Sequence, residues 1–198
     1  MSMYLSVVGQ AVLVSVLIAM LAGWFVKDLR KLKTIVAVGV ILCMLIPVNS
    51  LTIAQWLRSV AGDLSVLTLL ILSNILMQRL FIVNLINPLS RQILLWGIML
   101  VGIVFYPLAL GLGSIDPYHW GYAPLLMGIS LTVASVFSWF KGSRDLAVVL
   151  LLPLLAFNFK LLESANLWDY LLDPVLLIYA VVQNTAYIKF ARYKKQGV

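Results

Sequence analysis

Long apolar segments alternate with short polar ones along almost the whole chain. Runs such as Leu64–Leu72 and Leu146–Phe157 are apolar nearly throughout, whereas the strands of a membrane β-barrel alternate apolar and polar side chains. A helix needs about 20 residues to cross ~30 Å of hydrocarbon. The pattern therefore predicts an all-α polytopic transmembrane helix bundle of seven spans, at Tyr4–Val26, Thr34–Val48, Leu64–Leu80, Gln92–Gly111, Tyr122–Phe140, Leu146–Leu162 and Pro174–Phe190. Six spans is the alternative, because the short sixth segment could fuse with the residues that follow it.

Composition agrees with this class of protein. Of the 198 residues, 63% are hydrophobic and 11% are charged, and the mean hydropathy is +1.07. A soluble domain has about 45–50% apolar and about 25% charged residues. The predicted spans leave no room for a separate catalytic domain, so we expect residues 1–198 to form a single integral membrane domain.

Basic residues predict the orientation, because Lys and Arg are enriched in short cytoplasmic loops. Of 14 basic residues, only Arg58 and Lys160 fall on the opposite side of the predicted spans. This places the N-terminus outside and the C-terminus in the cytoplasm. Compact loops and strong charge bias favour a multi-pass protein of the bacterial inner (cytoplasmic) membrane. The basic residues are dispersed without interleaved aromatic residues, so no nucleic-acid partner is expected.

Between the second and third spans, Ser50–Gly62 places Ile53, Leu57 and Val60 on one helical face and polar residues on the other. This segregation predicts an interfacial helix at the outer surface. The alternative is a re-entrant segment that lines a cavity.

Carboxylates and aromatic residues gather on the predicted outer side. They are concentrated in two stretches, Gly111–Pro124 and Asn158–Pro174. Together with one residue of the interfacial segment and the residue that follows it, these stretches give the candidate substrate-binding set, which is Arg58, Asp63, Asp116, His119, Trp120, Lys160, Glu163, Asn166, Trp168 and Asp169. Contact between the two stretches would depend on tertiary packing, and an aromatic belt at the interface would also explain the rings.

Several of these carboxylates have a local structural explanation. Asp116 and Asp173 each precede a proline, as expected of an N-cap residue. Glu163 and Lys160 are three positions apart and would pair if they lie on one helix. Asp169 and Asp173 would share a helix face if that helix begins before Asp169, whereas a helix that begins at Pro174 would separate them.

Motifs for catalysis or cofactor binding were not found. The single histidine, His119, and the single cysteine, Cys43, provide no metal-ligand spacing. The sequence contains neither a GxSxG turn nor a phosphate-binding GK[ST] loop. We therefore predict no catalytic residue, no cofactor and no metal, and the sequence is compatible both with an enzyme and with a non-enzymatic protein.

The leading hypothesis is a bacterial inner-membrane protein that binds, or helps to move, a small or lipidic substrate through an acidic and aromatic pocket at the outer face. The alternatives are a membrane-embedded enzyme acting on a lipid-linked envelope substrate and a packing subunit of a larger membrane complex. Expected partners are the lipid bilayer, a small-molecule or lipid ligand, and a membrane-protein partner or homo-oligomer. Small residues at Ser130, Ala134 and Ser138 would suit either an intramolecular helix contact or an oligomer seam.

Overall fold

The computed structural model describes residues 2–48 and 50–195, which are almost entirely helical. Its elements, in chain order, are α1 (Ser2–Phe25), α2 (Leu29–Leu45), the hairpin strands β1 (Pro47–Val48) and β2 (Leu51–Thr52), α3 (Ile53–Ala61), α4 (Val66–Phe81), α5 (Pro88–Ala109), a 3-10 helix (Pro117–Gly121), α6 (Leu125–Phe140), α7 (Arg144–Asn158), α8 (Trp168–Leu171) and α9 (Pro174–Lys195). The prediction of an all-α chain is confirmed.

Three helices in the described part of the chain are long and apolar enough to cross a membrane, namely Val7–Phe25, Pro88–Ala109 and Pro174–Ala191. Two shorter helices, Val66–Phe81 and Leu125–Phe140, are also apolar. Each of the seven predicted segments overlaps one helix. The sixth and seventh are separate helices, α7 and α9, with α8 between them.

Side-chain caps define where several helices begin. Asp28 accepts from the N–H of Arg30 at the start of α2, and Ser65 accepts from that of Thr68 at the start of α4. The predicted helix over Ser50–Gly62 begins later, at Ile53, because Thr52 and Gln55 form a capping box. Residues 51–52 pair with 47–48 in the hairpin instead.

The helices pack in a few close pairs. Helix α1 contacts α2 and α4, α5 contacts α9, and α6 contacts α7. The largest apolar cluster buries Ile71, Leu95, Tyr170 and Leu176 between α4, α5, α8 and α9. Many large apolar side chains on the outer helix faces stay exposed, such as Phe137. A water-soluble monomer rarely exposes so much apolar surface, whereas a bilayer would cover it.

Helix α6 does not pack through the small-residue stripe predicted from its sequence. Ser130 and Ala134 are exposed, and only Ser138 of the stripe is buried. The contact with α7 includes Ser135, whose hydroxyl donates to the carbonyl of Ala147 at 2.8 Å.

Helices α5 and α9 are antiparallel, because Gln92 bonds Asn184 and Gly102 lies against Leu177. Helices α1 and α4 are parallel, because Gly9 lies against Leu69 and Arg79 bonds the carbonyl of Ala19. The long helices thus alternate in direction along the chain, which gives the molecule two distinct ends. At one end, the N–H of Asn87 before α5 donates to Asp145 of α7. The loops and helix termini here carry the basic residues other than Arg58 and Lys160, and we call it the basic end. The opposite end, the acidic end, contains α3, the 3-10 helix and α8.

Candidate functional site

The two polar stretches singled out in the sequence meet at the acidic end. The Tyr118 hydroxyl donates to the Asp169 carboxylate at 3.0 Å. The Asn166 amide donates to the Tyr118 carbonyl at 2.9 Å, and the Trp168 indole donates to the Pro117 carbonyl at 2.8 Å. The 3-10 helix and the segment around α8 therefore form one connected polar structure.

Local turns explain how each stretch presents its side chains. Asp116 accepts from the N–H of Tyr118 at 2.9 Å, which starts the 3-10 helix. In the other stretch, Ser164 accepts from the N–H of Asn166, and the Asn166 side chain accepts from the N–H of Trp168, both at 2.9 Å. These turns bring Asp169 back toward Ser164, whose hydroxyl donates to it.

The contact between the stretches requires a glycine at position 121. A Cβ atom on Gly121 would lie 1.7 Å from Oδ1 of Asn166 and 2.8 Å from Cδ1 of Trp168. The Gly121 carbonyl also accepts from the N–H of Leu167 at 3.0 Å. Asn166 and Leu167 are both fully buried here, so the close approach of the two backbones fixes the shape of the site.

A partly open pocket of about 520 Å³ lies beside this contact, between the end of α5 and the start of α9. It lies at the acidic end of the molecule. Its walls combine carboxylates, aromatic rings and aliphatic side chains. The lining residues are Asp63, Phe105, Tyr106, Ala109, Leu110, Tyr118, Leu162, Ser164, Trp168, Asp169, Leu172, Asp173 and Pro174.

Asp173 is the most deeply placed carboxylate of the pocket, with 5% of its surface exposed. It accepts from the N–H of Leu176 at 2.8 Å, so the predicted N-cap of α9 is confirmed. It also accepts from the N–H of Ser65 at 2.8 Å and from the Thr68 hydroxyl. Three donors from two helices offset much of the cost of burying this charge.

Asp169 and Asp173 do not share a helix face. Leu172 is extended, with φ −138° and ψ 133°, and separates α8 from α9. Both carboxylates nevertheless line the same pocket. The two carboxylates are therefore brought together by the fold around the pocket and not by a shared helix face.

Arg58 of α3 lies at the edge of the site. Its Nε is 2.8 Å from Oδ1 of Asp63, and its Nη2 is 3.2 Å from Oδ2. Its Nη2 also lies 3.8 Å from Glu163. The hydrogen bond to Asp63 raises the pKa of the Arg58 guanidinium above its ordinary value. With about a third of the Arg58 side chain exposed, solvent weakens this ion pair.

Tyr118 is held in its neutral form. Burial raises the pKa of its phenol above the usual range, and the neighbouring charge of Asp169 raises it further. The protonated hydroxyl donates to Asp169, which lines the same pocket.

Four aromatic rings form a continuous wall. The ring centroid of Phe105 is 4.4 Å from that of Trp168 and 6.4 Å from that of Tyr118. Tyr106 packs edge-on against Phe105 at 5.3 Å. All four rings line the pocket.

The remaining predicted site residues have different positions. Asp63, Trp168 and Asp169 line the pocket. Asn166 lies outside the lining and bonds the backbone of Tyr118 and Trp168, which do line it. The other members of the predicted set lie outside its lining, namely Arg58, Asp116, His119, Trp120, Lys160 and Glu163. The predicted helical pair of Lys160 and Glu163 is wrong, because α7 ends at Asn158.

The predicted site set omitted Phe105, Tyr106, Tyr118 and Ser164. It also omitted Asp173, for which the sequence suggested either a helix cap or a partner of Asp169 on one helix face. The sequence signal for Phe105 and Tyr106 was weak. They are two adjacent aromatic residues near the end of a predicted span, with no motif or charged residue beside them. Among the described residues, no group of three or more His, Cys, Asp or Glu side chains could hold a metal ion.

Comparison with known proteins identified no relative of this chain. No protein-family model matches the chain, and no curated protein or solved structure shows significant similarity to it.

Proposed function

We propose that the chain is a multi-pass protein of the bacterial inner membrane with seven spans, an external N-terminus and a cytoplasmic C-terminus. Support comes from the alternation of helix directions and from the concentration of basic residues at one end. Under the positive-inside rule, that end faces the cytoplasm. The acidic end and its pocket then face the outer side.

The function we propose is to bind, or help to move, a small or lipidic substrate through the pocket at the acidic end. The observation that carries this proposal is the pocket itself, which is large enough for a small molecule at about 520 Å³. Ligand sites usually have volumes of about 300–1,000 Å³ and combine apolar walls with a few converging polar groups. Here Asp169 and Asp173 converge on walls that include Phe105 and Leu162.

A pocket-filling substitution tests this function. Ala109 lines the pocket near the end of α5, so Ala109→Trp should occupy the space that a substrate needs. Protein extracted with its surrounding lipid should carry a bound small molecule or lipid, detected by native mass spectrometry, and the variant should lose it.

Ala134→Trp is the control, because Ala134 is exposed on α6, away from the pocket lining. It should retain the bound species. A wild-type protein that carries no ligand, or an Ala109→Trp variant that retains it, would contradict a binding function for the pocket.

A further inference from the structure

We propose that the substrate of this pocket is an organic cation that carries an ammonium group. The inference rests on the proposed binding function and names the chemical class of the substrate. It is drawn from the charge of the lining, the aromatic wall and the size of the pocket.

The lining is acidic and lacks a basic side chain. It includes Asp63, Asp169 and Asp173, and none of its described residues is Lys, Arg or His. Arg58 pairs with Asp63 at 2.8 Å. Asp63 therefore needs no cation from the pocket.

Asp169 and Asp173 differ from Asp63 in this respect. Among the side chains that the structure describes, no Lys, Arg or His lies within ion-pair distance of either carboxylate. Their donors are neutral hydroxyl and backbone N–H groups, such as the Tyr118 hydroxyl for Asp169 and the Ser65 N–H for Asp173. A carboxylate as deeply buried as that of Asp173, which is 5% exposed, is usually paired with a cation, whereas Asp169 is half-buried. A cationic ligand would supply the missing charge.

The aromatic wall selects the type of cation. The rings of Phe105, Tyr106, Tyr118 and Trp168 line the same pocket as these carboxylates. Aromatic faces attract ammonium groups, and aromatic cages are a recurrent means of recognising quaternary ammonium ligands. The rings contribute little to binding a strongly hydrated metal ion, which prefers several oxygen ligands.

Pocket size and carboxylate placement also favour an organic cation. A single metal ion would leave most of a space of about 520 Å³ unfilled. The described residues contain no cluster of three or more potential metal ligands. A ligand with an ammonium group near Asp169 and Asp173 and an apolar portion against Leu162 and Ala109 would contact both the acidic and the apolar parts of the lining.

Charge-matched probes test the inference on the full chain in lipid nanodiscs. Choline is compared with 3,3-dimethyl-1-butanol, its uncharged isostere, and n-butylammonium is compared with 1-butanol. Isothermal titration calorimetry should show that each cation binds at least roughly tenfold more tightly than its neutral partner.

Two substitutions separate the contribution of the carboxylate to cation binding from that of the aromatic wall. Asp169→Asn keeps the side-chain shape and should remove most of the preference for the cation, while Asp28→Asn, a helix cap at the basic end, should leave the preference unchanged. Phe105→Leu keeps an apolar wall and should weaken choline by about threefold, with a smaller effect on its isostere. A thermal melt of each variant checks that the fold is retained.

The outcomes distinguish this inference from the proposed function. Equal binding of cations and neutral isosteres would overturn the cation assignment and leave a pocket ligand in place. Failure of both cations to bind, with a co-purified ligand still lost in Ala109→Trp, would also overturn only the cation assignment. Failure of both cations together with no effect of Ala109→Trp would overturn both proposals.

Discussion

The carboxylate of Asp173 accepts a hydrogen bond from the backbone N–H of Ser65, 108 positions earlier in the chain, at 2.8 Å. This bond ties the start of α9 to the start of α4, and Asp173 also lines the pocket. Thr68 donates to the same oxygen, and all three residues are buried. One residue therefore caps a helix, joins two helices and contributes to the pocket lining.

Asp173→Ala should destabilise the fold by about 3 kcal/mol, because it leaves buried donors of two helices without an acceptor. Asp173→Asn should cost less, since its carbonyl oxygen still accepts one of these bonds. Thermal unfolding of purified protein in detergent provides the measurement. Asp116→Ala, which removes an exposed cap, should cost only about 1 kcal/mol, and equal losses for Asp116→Ala and Asp173→Ala would contradict a joining role for Asp173.

Gly121→Ala should separate the 3-10 helix from the segment before α8. The added methyl group would overlap Oδ1 of Asn166, which is buried and held by two hydrogen bonds. We expect a lower melting temperature and altered Trp168 fluorescence. Gly97→Ala is the matched control, because a Cβ atom there meets nothing within 4 Å. A similar melting temperature for the two variants would show that the segments separate without cost.

The helices were largely predictable because apolar runs of about 20 residues have the length and composition of membrane-spanning helices. Errors arose where a helix begins in polar residues. The fourth segment was predicted from Gln92, but α5 begins at Pro88, capped by Asn87. The second was predicted from Thr34, but α2 begins at Leu29 and includes basic residues in its first turns. Hydropathy does not detect a polar first helical turn, whereas the Asn-Pro and Asp caps do.

The site was predictable only in part. Clustering of polar residues correctly singled out both stretches, but their contact depends on tertiary packing between segments about 50 positions apart. The contribution of Phe105 and Tyr106 depends on how α5 is rotated about its axis, which a nearly uniform apolar run does not reveal. For Asp173 the predicted role as a helix cap was correct but incomplete, because a residue that caps a helix can also line a cavity.

The Tyr118 phenol should stay protonated at a pH at which an ordinary tyrosine ionises. Its pKa is raised by burial and by the charge of Asp169, whereas in the unfolded chain it is about 10. Above pH ~10 the unfolded chain therefore releases this proton before the folded protein does, and the stability due to Tyr118 falls as pH rises toward its folded pKa.

The measurement is an ultraviolet titration of folded protein, taken as the difference between wild type and Tyr118→Phe. Asp169→Asn should shift this difference to lower pH, because it removes a neighbouring negative charge. A tyrosinate signal centred near pH ~10 in this difference would contradict the burial of Tyr118 beside Asp169.

Accessibility of introduced cysteines tests the proposed orientation. In a Cys43→Ser background, Ser114→Cys and Ala165→Cys at the acidic end should react with an impermeant thiol reagent added to intact cells. Lys141→Cys at the basic end should react only after the cells are opened. All three positions are exposed, and Lys141 avoids the positive φ of its neighbour Gly142. Labelling of Lys141→Cys alone in intact cells would reverse the orientation.

Two neighbouring acidic residues should differ in their effect on function. Asp169 lines the pocket and is held by the hydroxyls of Tyr118 and Ser164. Glu163 is 60% exposed in its side chain, and its distance of 3.8 Å from Arg58 allows only a weak ion pair. Both were equally good candidates in the sequence, since neither has a role as a helix cap.

We expect Asp169→Asn to abolish substrate binding or movement while leaving the abundance and fold of the protein near normal, because the substitution preserves shape and removes charge. Glu163→Gln should reduce activity by less than about threefold, as expected for the loss of an exposed ion pair. Asp28→Asn is the control for a carboxylate at the basic end. The assay is complementation of a deletion strain, with protein abundance measured in parallel. Full activity of Asp169→Asn would exclude this carboxylate from the function. Loss of activity in Glu163→Gln alone would indicate that the site lies at Arg58 and the loop before α8.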